Sequence, residues 1–194
     1  MKPLLSLLGA GAILLGASVA TAETAAPYAG WQQRDIKALS AQQIDDLAAG
    51  RGLSLALAAE LNGYPGLRHV LDLGSALGLT EDQRAAFEQL FQQMQAEAQR
   101  LGAAILAAEA TLDHAFRSGR AGEASLRDQL AALAALQGEL RYTHLRSHLA
   151  AKALLSEAQV ARYHALRGYA DLAVPGRSPG SDSHGGHSSS PAQP

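Results

Sequence analysis

Apolar side chains recur at three- and four-residue steps through the middle of the chain. Phe87, Leu90, Phe91, Met94, Ala98, Leu101, Ile105, Leu112 and Phe116 form one continuous stripe at helical spacing. This pattern predicts a helix over residues 80–118, which at about 1.5 Å per residue reaches more than ~50 Å. Such a length does not suit a compact monomeric bundle; it points to an elongated molecule, a dimer seam, or both. A second helix is expected over 123–154, with Leu126, Leu130, Leu133 and Leu140 turned to its partner, and a last one over 157–169.

Polar residues mark where the helices begin. Ser40-Ala41-Gln42-Gln43, Thr80-Glu81-Asp82-Gln83 and Ser156-Glu157-Ala158-Gln159 each fit a capping box, in which a hydroxyl caps the helix and a glutamine three residues on reaches back. Leu39, Leu79 and Leu155 precede them and suit a hydrophobic staple. Glycines mark the stops. Gly50 and Gly52 end a short first helix, Asn62-Gly63-Tyr64-Pro65-Gly66 is a turn, and Gly119 and Gly122 bracket the loop between the long helices. The fold class expected is all-α: an elongated hairpin of long helices with short flanking helices.

Four zones follow along the chain. Residues 1–22 read as a cleavable signal peptide: a Met1-Lys2 start, an apolar run over 4–16, and the small-residue site Ala20-Thr21-Ala22. The competing reading is an uncleaved anchor, since the apolar run extends almost to Ala20. Residues 23–40 form an arm expected to be loosely structured, 41–170 the helical body, and 171–194 a Gly/Ser/Pro tail expected to be disordered. Export through the signal peptide places the protein in the periplasm.

Composition narrows the chemistry. The 194-residue chain is 47% hydrophobic and 18% charged, with a formal charge of −2, so no basic field draws it to nucleic acid. It contains no cysteine, which removes disulfides and thiolate ligands; a metal site must use His, Asp, Glu, Met or backbone oxygen. No nucleophile elbow, P-loop or dinucleotide glycine pattern occurs, and the expectation is a protein that is not an enzyme.

The sharpest local feature is His144-Leu145-Arg146-Ser147-His148. Two histidines at i and i+4 lie on one helix face, near enough to share a metal ion. At 100° per residue, His144 falls on the side of Leu126 and His148 on the side of Leu130, so the pair continues the inward stripe. Further ligands could come from Glu60, His69 or Glu109, whereas His114 falls on the outer face. The alternative is that the imidazoles bond to nearby carboxylates or line a wet cleft or dimer groove. Leu145 stands where a metalloprotease would need its glutamate base. In the tail, His184-Gly185-Gly186-His187 is either a weak chelator or merely part of a solubilising segment. The apolar stripes are either core and dimer seam or a surface that holds unfolded polypeptide, with Arg100, Arg117, Arg120, Arg127 and Arg141 as its charged rim.

The motifs Leu79-Thr80-Glu81-Asp82-Gln83 and Leu155-Ser156-Glu157-Ala158-Gln159 resemble the LTxxQ motifs of the Spy/CpxP family, with Ser156 replacing threonine in the second. The element order over about 40–169 is similar too. The resemblance implies an all-α, cradle-like homodimer whose caps are Leu79, Thr80, Gln83, Leu155, Ser156 and Gln159. Family branches hold unfolded periplasmic proteins without ATP, bind a membrane sensor kinase to damp envelope stress, or bind divalent metals through histidines. The His144/His148 pair resembles the His-x-x-x-His ligands of the last branch, although sensing members are typically membrane-anchored. The leading expectation is a periplasmic metal-responsive accessory protein of the heavy-metal sensing or resistance type. It would bind zinc, nickel, cobalt or copper through His144 and His148, with Glu60 or His69 completing the site. The alternative is an ATP-independent chaperone or envelope-stress modulator.

Overall fold

The computed structural model describes residues 26–169. The expected signal segment and the histidine-bearing tail lie outside the described residues. The chain divides into two units, 1–33 and 34–194. Within the first, a 3-10 turn spans Trp31–Gln33, and the Tyr28 and Trp31 rings meet edge to face at 5.1 Å.

Among the described residues of the second unit seven helices follow in order: α1 (Ala41–Ala48), α2 (Leu57–Glu60), α3 (Leu67–Asp72), α4 (Gly74–Leu77), α5 (Glu81–Arg117), α6 (Glu123–Leu154) and α7 (Glu157–Leu166). No strand occurs among the described residues, and none of their helices is long and apolar enough to cross a membrane. The 37-residue α5 and 32-residue α6 pair as a hairpin and share more contacts than any other two elements. The loop between them is set by Gly119. Its φ of +67° lets its N–H reach the Phe116 carbonyl while Arg120 N–H reaches that of Ala115, closing the last turn of α5. The same pair of bonds ends α1 and α7.

All three capping boxes form. Ser40, Thr80 and Ser156 each accept from the backbone N–H three residues on, and Gln43, Gln83 and Gln159 accept from the cap N–H in return. Two of these boxes are also joined. Gln83 Nε2 donates to Gln159 Oε1 and Gln159 Nε2 donates back to Gln83 Oε1, both at 3.0 Å, while Gln83 Nε2 also reaches the Leu154 carbonyl at 2.8 Å. The starts of α5 and α7 are thereby held side by side by one amide pair. Leu79 and Leu155, the residues before the two boxes, pack on the core beneath it.

The apolar core has two centres along the hairpin. One gathers Leu47, Ala98, Leu101, Ile105, Leu133 and Leu140; the other Leu67, Val70, Leu77, Phe87, Ala151 and Tyr163. Met94 packs against both. Residues 34–40 join the first of these regions: Ile36 is buried, Leu39 packs on the core, and Lys37 pairs with Asp113 at 3.4 Å. The apolar stripes are narrower than the sequence suggests. Phe116 is 59% exposed and Leu130 46%, because toward the loop α5 and α6 have chiefly each other to cover them, and a two-helix contact buries only a thin seam. Helix α7 stops at Leu166, short of the expected residue 169, at the turn closed by Gly168.

Candidate functional site

Along its inward line α6 reads Leu133, Leu140, then Thr143, His144, Ser147 and His148, then Ala151, all buried. Four polar side chains therefore separate the two apolar centres. Each needs a partner, because an unpaired polar group in such a place costs about 1–3 kcal/mol. Ser147 donates to the His144 carbonyl at 2.6 Å, which settles it within its own helix. His148 faces the segment between α2 and α3, whereas His144 lies against Gly52, ahead of α2.

His148 Nδ1 lies 2.8 Å from the Tyr64 carbonyl oxygen and 3.8 Å from Glu60 Oε2. Both are acceptors, so Nδ1 carries a hydrogen, and in the neutral tautomer this leaves the lone pair on Nε2. The backbone passes very close here. A Cβ on Gly66 would stand 3.1 Å from His148 Cε1 and 3.2 Å from Glu60 Oε2, so any side chain there would press on both. His144, one turn earlier, is 5% exposed; its Nε2 is buried with no hydrogen-bond partner. Burial, and then the neighbouring His148, lower its pKa, so the ring stays neutral.

Glu60 ends α2 and is 7% exposed. Its Oε1 accepts from the Tyr163 hydroxyl of α7 at 2.6 Å and lies 3.5 Å from Arg167 Nε, just beyond that helix. The Tyr163 oxygen in turn accepts from the Gly66 N–H at 3.3 Å. Burial and the bond to Glu60 push the phenol pKa up, which keeps it a donor. Glu60 Oε2 has no hydrogen-bond partner. His69, on α3, faces Arg167: its Nε2 is 3.3 Å from Nη2, and since a guanidinium only donates, that nitrogen is the acceptor. Burial, followed by the Arg167 charge, lowers the His69 pKa.

Of the residues singled out from sequence, Glu60 faces His148 and shares Arg167 with His69 at the joint of α2, α3, α6 and α7, while His144 lies one turn along α6, against Gly52. Glu109 is buried, but it lies far along α5 from this region, on the part of the helix facing the hairpin's loop half. His114 is exposed and meets Arg120 at 2.8 Å. Sequence reasoning passed over Tyr163 and Arg167, which hold Glu60 from 103 and 107 positions away and leave no local pattern. The only hint was Gly66 after Pro65, a glycine that signals close backbone approach.

The donor chemistry suits a divalent transition metal. Two imidazole nitrogens and one carboxylate oxygen retain free lone pairs, and His148 already directs its other nitrogen to a backbone carbonyl, as metal-bound histidines do. Convergence is the missing part: among the described residues, no three His, Asp or Glu side chains stand close enough together to hold one ion. Compared with family models, with curated proteins and with solved structures, the chain matches none, so the family resemblance rests on the two LTxxQ-like motifs and the order of helices.

Proposed function

We propose that this protein is a periplasmic metal-responsive accessory protein of the Spy/CpxP kind, with His144 and His148 as the core of a divalent-metal site and Glu60 as the adjoining ligand. The observation that carries this reading is the pair of buried polar atoms without hydrogen-bond partners, His144 Nε2 and Glu60 Oε2, near an imidazole, His148, oriented by the Tyr64 carbonyl. When bound, zinc, nickel, cobalt or copper would supply a cross-link between α6 and the segment joining α2 to α3. The protein's part is to bury both rings and, by burial, to favour the neutral form of His144. The free energy of binding would favour the locked state of the hairpin, or of a homodimer.

The test is calorimetric titration with zinc, nickel and copper of the protein as the cell processes it, with His184 and His187 replaced by alanine so that only the helical body can respond. Micromolar or tighter binding is expected, and a loss of at least tenfold in His144→Ala/His148→Ala. No binding in the parent would falsify this reading.

A second reading has its own observation. A mainly apolar groove of about 430 Å³ runs between α5 and α6, lined by Leu90, Ala150, Ala153 and Leu154 together with Gln89 and Gln93, and Leu149, next in sequence to Ala150, is 59% exposed. Such a surface suits weak holding of unfolded chains, the activity of an ATP-independent chaperone. Suppression of client aggregation that survives removal of both histidines, and fails in Leu90→Glu/Leu149→Glu, would favour it over metal response.

A further inference from the structure

The four candidate ligands come from three elements, α2, α3 and α6, yet the group that bridges two of them is a cation from the end of α7. Arg167 places Nε 3.5 Å from Glu60 Oε1 and Nη2 3.3 Å from His69 Nε2. A guanidinium cannot give up its proton under any ordinary condition, so it can vacate these partners only by moving. It has room to move: the Arg167 side chain is 31% exposed, against 9% for that of Glu60. Glu60 would not be stranded by that departure, because the Tyr163 hydroxyl remains on the same oxygen.

We infer that Arg167 is a built-in competitor for the metal site: it holds Glu60 Oε1 and His69 Nε2, the second carboxylate oxygen and the further imidazole nitrogen that a divalent ion would need beyond Glu60 Oε2 and His148, so full metal binding and docking of the C-terminal end of α7 exclude one another. The inference rests on the metal reading above. With the guanidinium in place Glu60 faces Arg167 and His69 is capped by it. With the guanidinium withdrawn, Glu60 Oε1 and His69 Nε2 become available in addition to Glu60 Oε2 and His148, and the ligand count rises. The output of such a switch is mechanical. Arg167 also donates to the Tyr169 hydroxyl at 3.2 Å, and its own N–H closes on the Tyr163 carbonyl at 2.9 Å. Withdrawal of the guanidinium would free the Tyr169 hydroxyl and remove the ties to Glu60 and His69 that anchor the turn after α7.

Zinc alone is the probe, added to the same tail-silenced protein. Arg167→Met, which keeps the aliphatic stem and removes the charge, is expected to bind zinc at least tenfold more tightly than the parent. Adding His69→Ala to that variant should return the affinity to the parental value, whereas His69→Ala in the parent should change it little. An Arg167→Met protein that binds no more tightly than a zinc-binding parent overturns the competition and leaves the metal reading standing; zinc binding in neither protein overturns both. Should Arg167→Met fail to fold, hydrogen exchange on the parent decides. Zinc is expected to speed exchange of the amides of Arg167, Gly168 and Tyr169, and unchanged protection there in zinc-saturated protein refutes the inference.

Discussion

Gly102 lies in the middle of α5, where a glycine is ordinarily a defect. Replacing a mid-helix glycine by alanine usually stabilises by about 0.5–1 kcal/mol, because the unfolded chain loses freedom. Here the sign should reverse. Helix α1 crosses α5 so closely that a Cβ on Gly102 would overlap the Leu47 carbonyl group, which is backbone and cannot rotate aside. Relief requires α1 to lift, and overpacking of that kind costs about 1–3 kcal/mol. Lifting also exposes part of Leu47, whose full burial is worth roughly 1.5–3 kcal/mol. Against the helical gain, Gly102→Ala should destabilise the protein by about 1–4 kcal/mol. Gly138 provides the control: it is also mid-helix, in α6, and nothing lies within 4 Å of its Cβ position. Gly138→Ala should stabilise by about 0.5–1 kcal/mol. Urea unfolding followed by far-UV circular dichroism reads both, with opposite displacements of the midpoint. If Gly102→Ala proves as stable as the parent, α1 does not cross α5 at contact distance and the argument for this helix packing is refuted.

Other substitutions probe other joints. Gln83→Ala and Gln159→Ala remove two halves of one amide pair, so a double-mutant cycle should show coupling of about 0.5–3 kcal/mol, the double variant losing less than the sum of the singles; strict additivity would mean that the pair does not form. Tyr163→Phe keeps the core volume but leaves Glu60 Oε1 and the Gly66 N–H without the hydroxyl, at a cost of about 1–3 kcal/mol in thermal or urea unfolding. Glu109 tests burial of charge. Desolvation raises its pKa above the ordinary 4.5. The folded state therefore resists ionisation, and this group's contribution is intact below pH 4.5 and lost as pH rises through the folded pKa. Glu109→Gln should thus be more stable than the parent at neutral pH, with the gap closing on acidification; parallel stability curves across that range would refute it.

Long periodic helices and their caps were legible because their causes are local. The hydroxyl, the glutamine three residues on and the preceding leucine lie within five positions, and all three boxes form. The inward placement of His144 and His148 was readable from helical phase alone, and both are buried. Phase did not show how far inward-facing positions stay covered, so the exposure of Phe116 and Leu130 was hidden. Helices α2 and α4 have four residues each and α3 has six, too few turns to reveal a period, so the segment that supplies Glu60 and His69 could not be drawn. The pairing of Glu60 with Tyr163 and Arg167 belongs to tertiary structure only.

The joined amides of Gln83 and Gln159 close a loop of 76 residues with two hydrogen bonds. Everything between them is a hairpin that leaves one end and returns to it. Matched insertions of whole helical turns in α5 and α6, placed toward Gly119, would move the tip outward and leave this clasp and the histidine region untouched. The interval between the two motifs is thus an adjustable reach, free to drift in length while the base stays fixed, and the motifs record the geometry of the base alone.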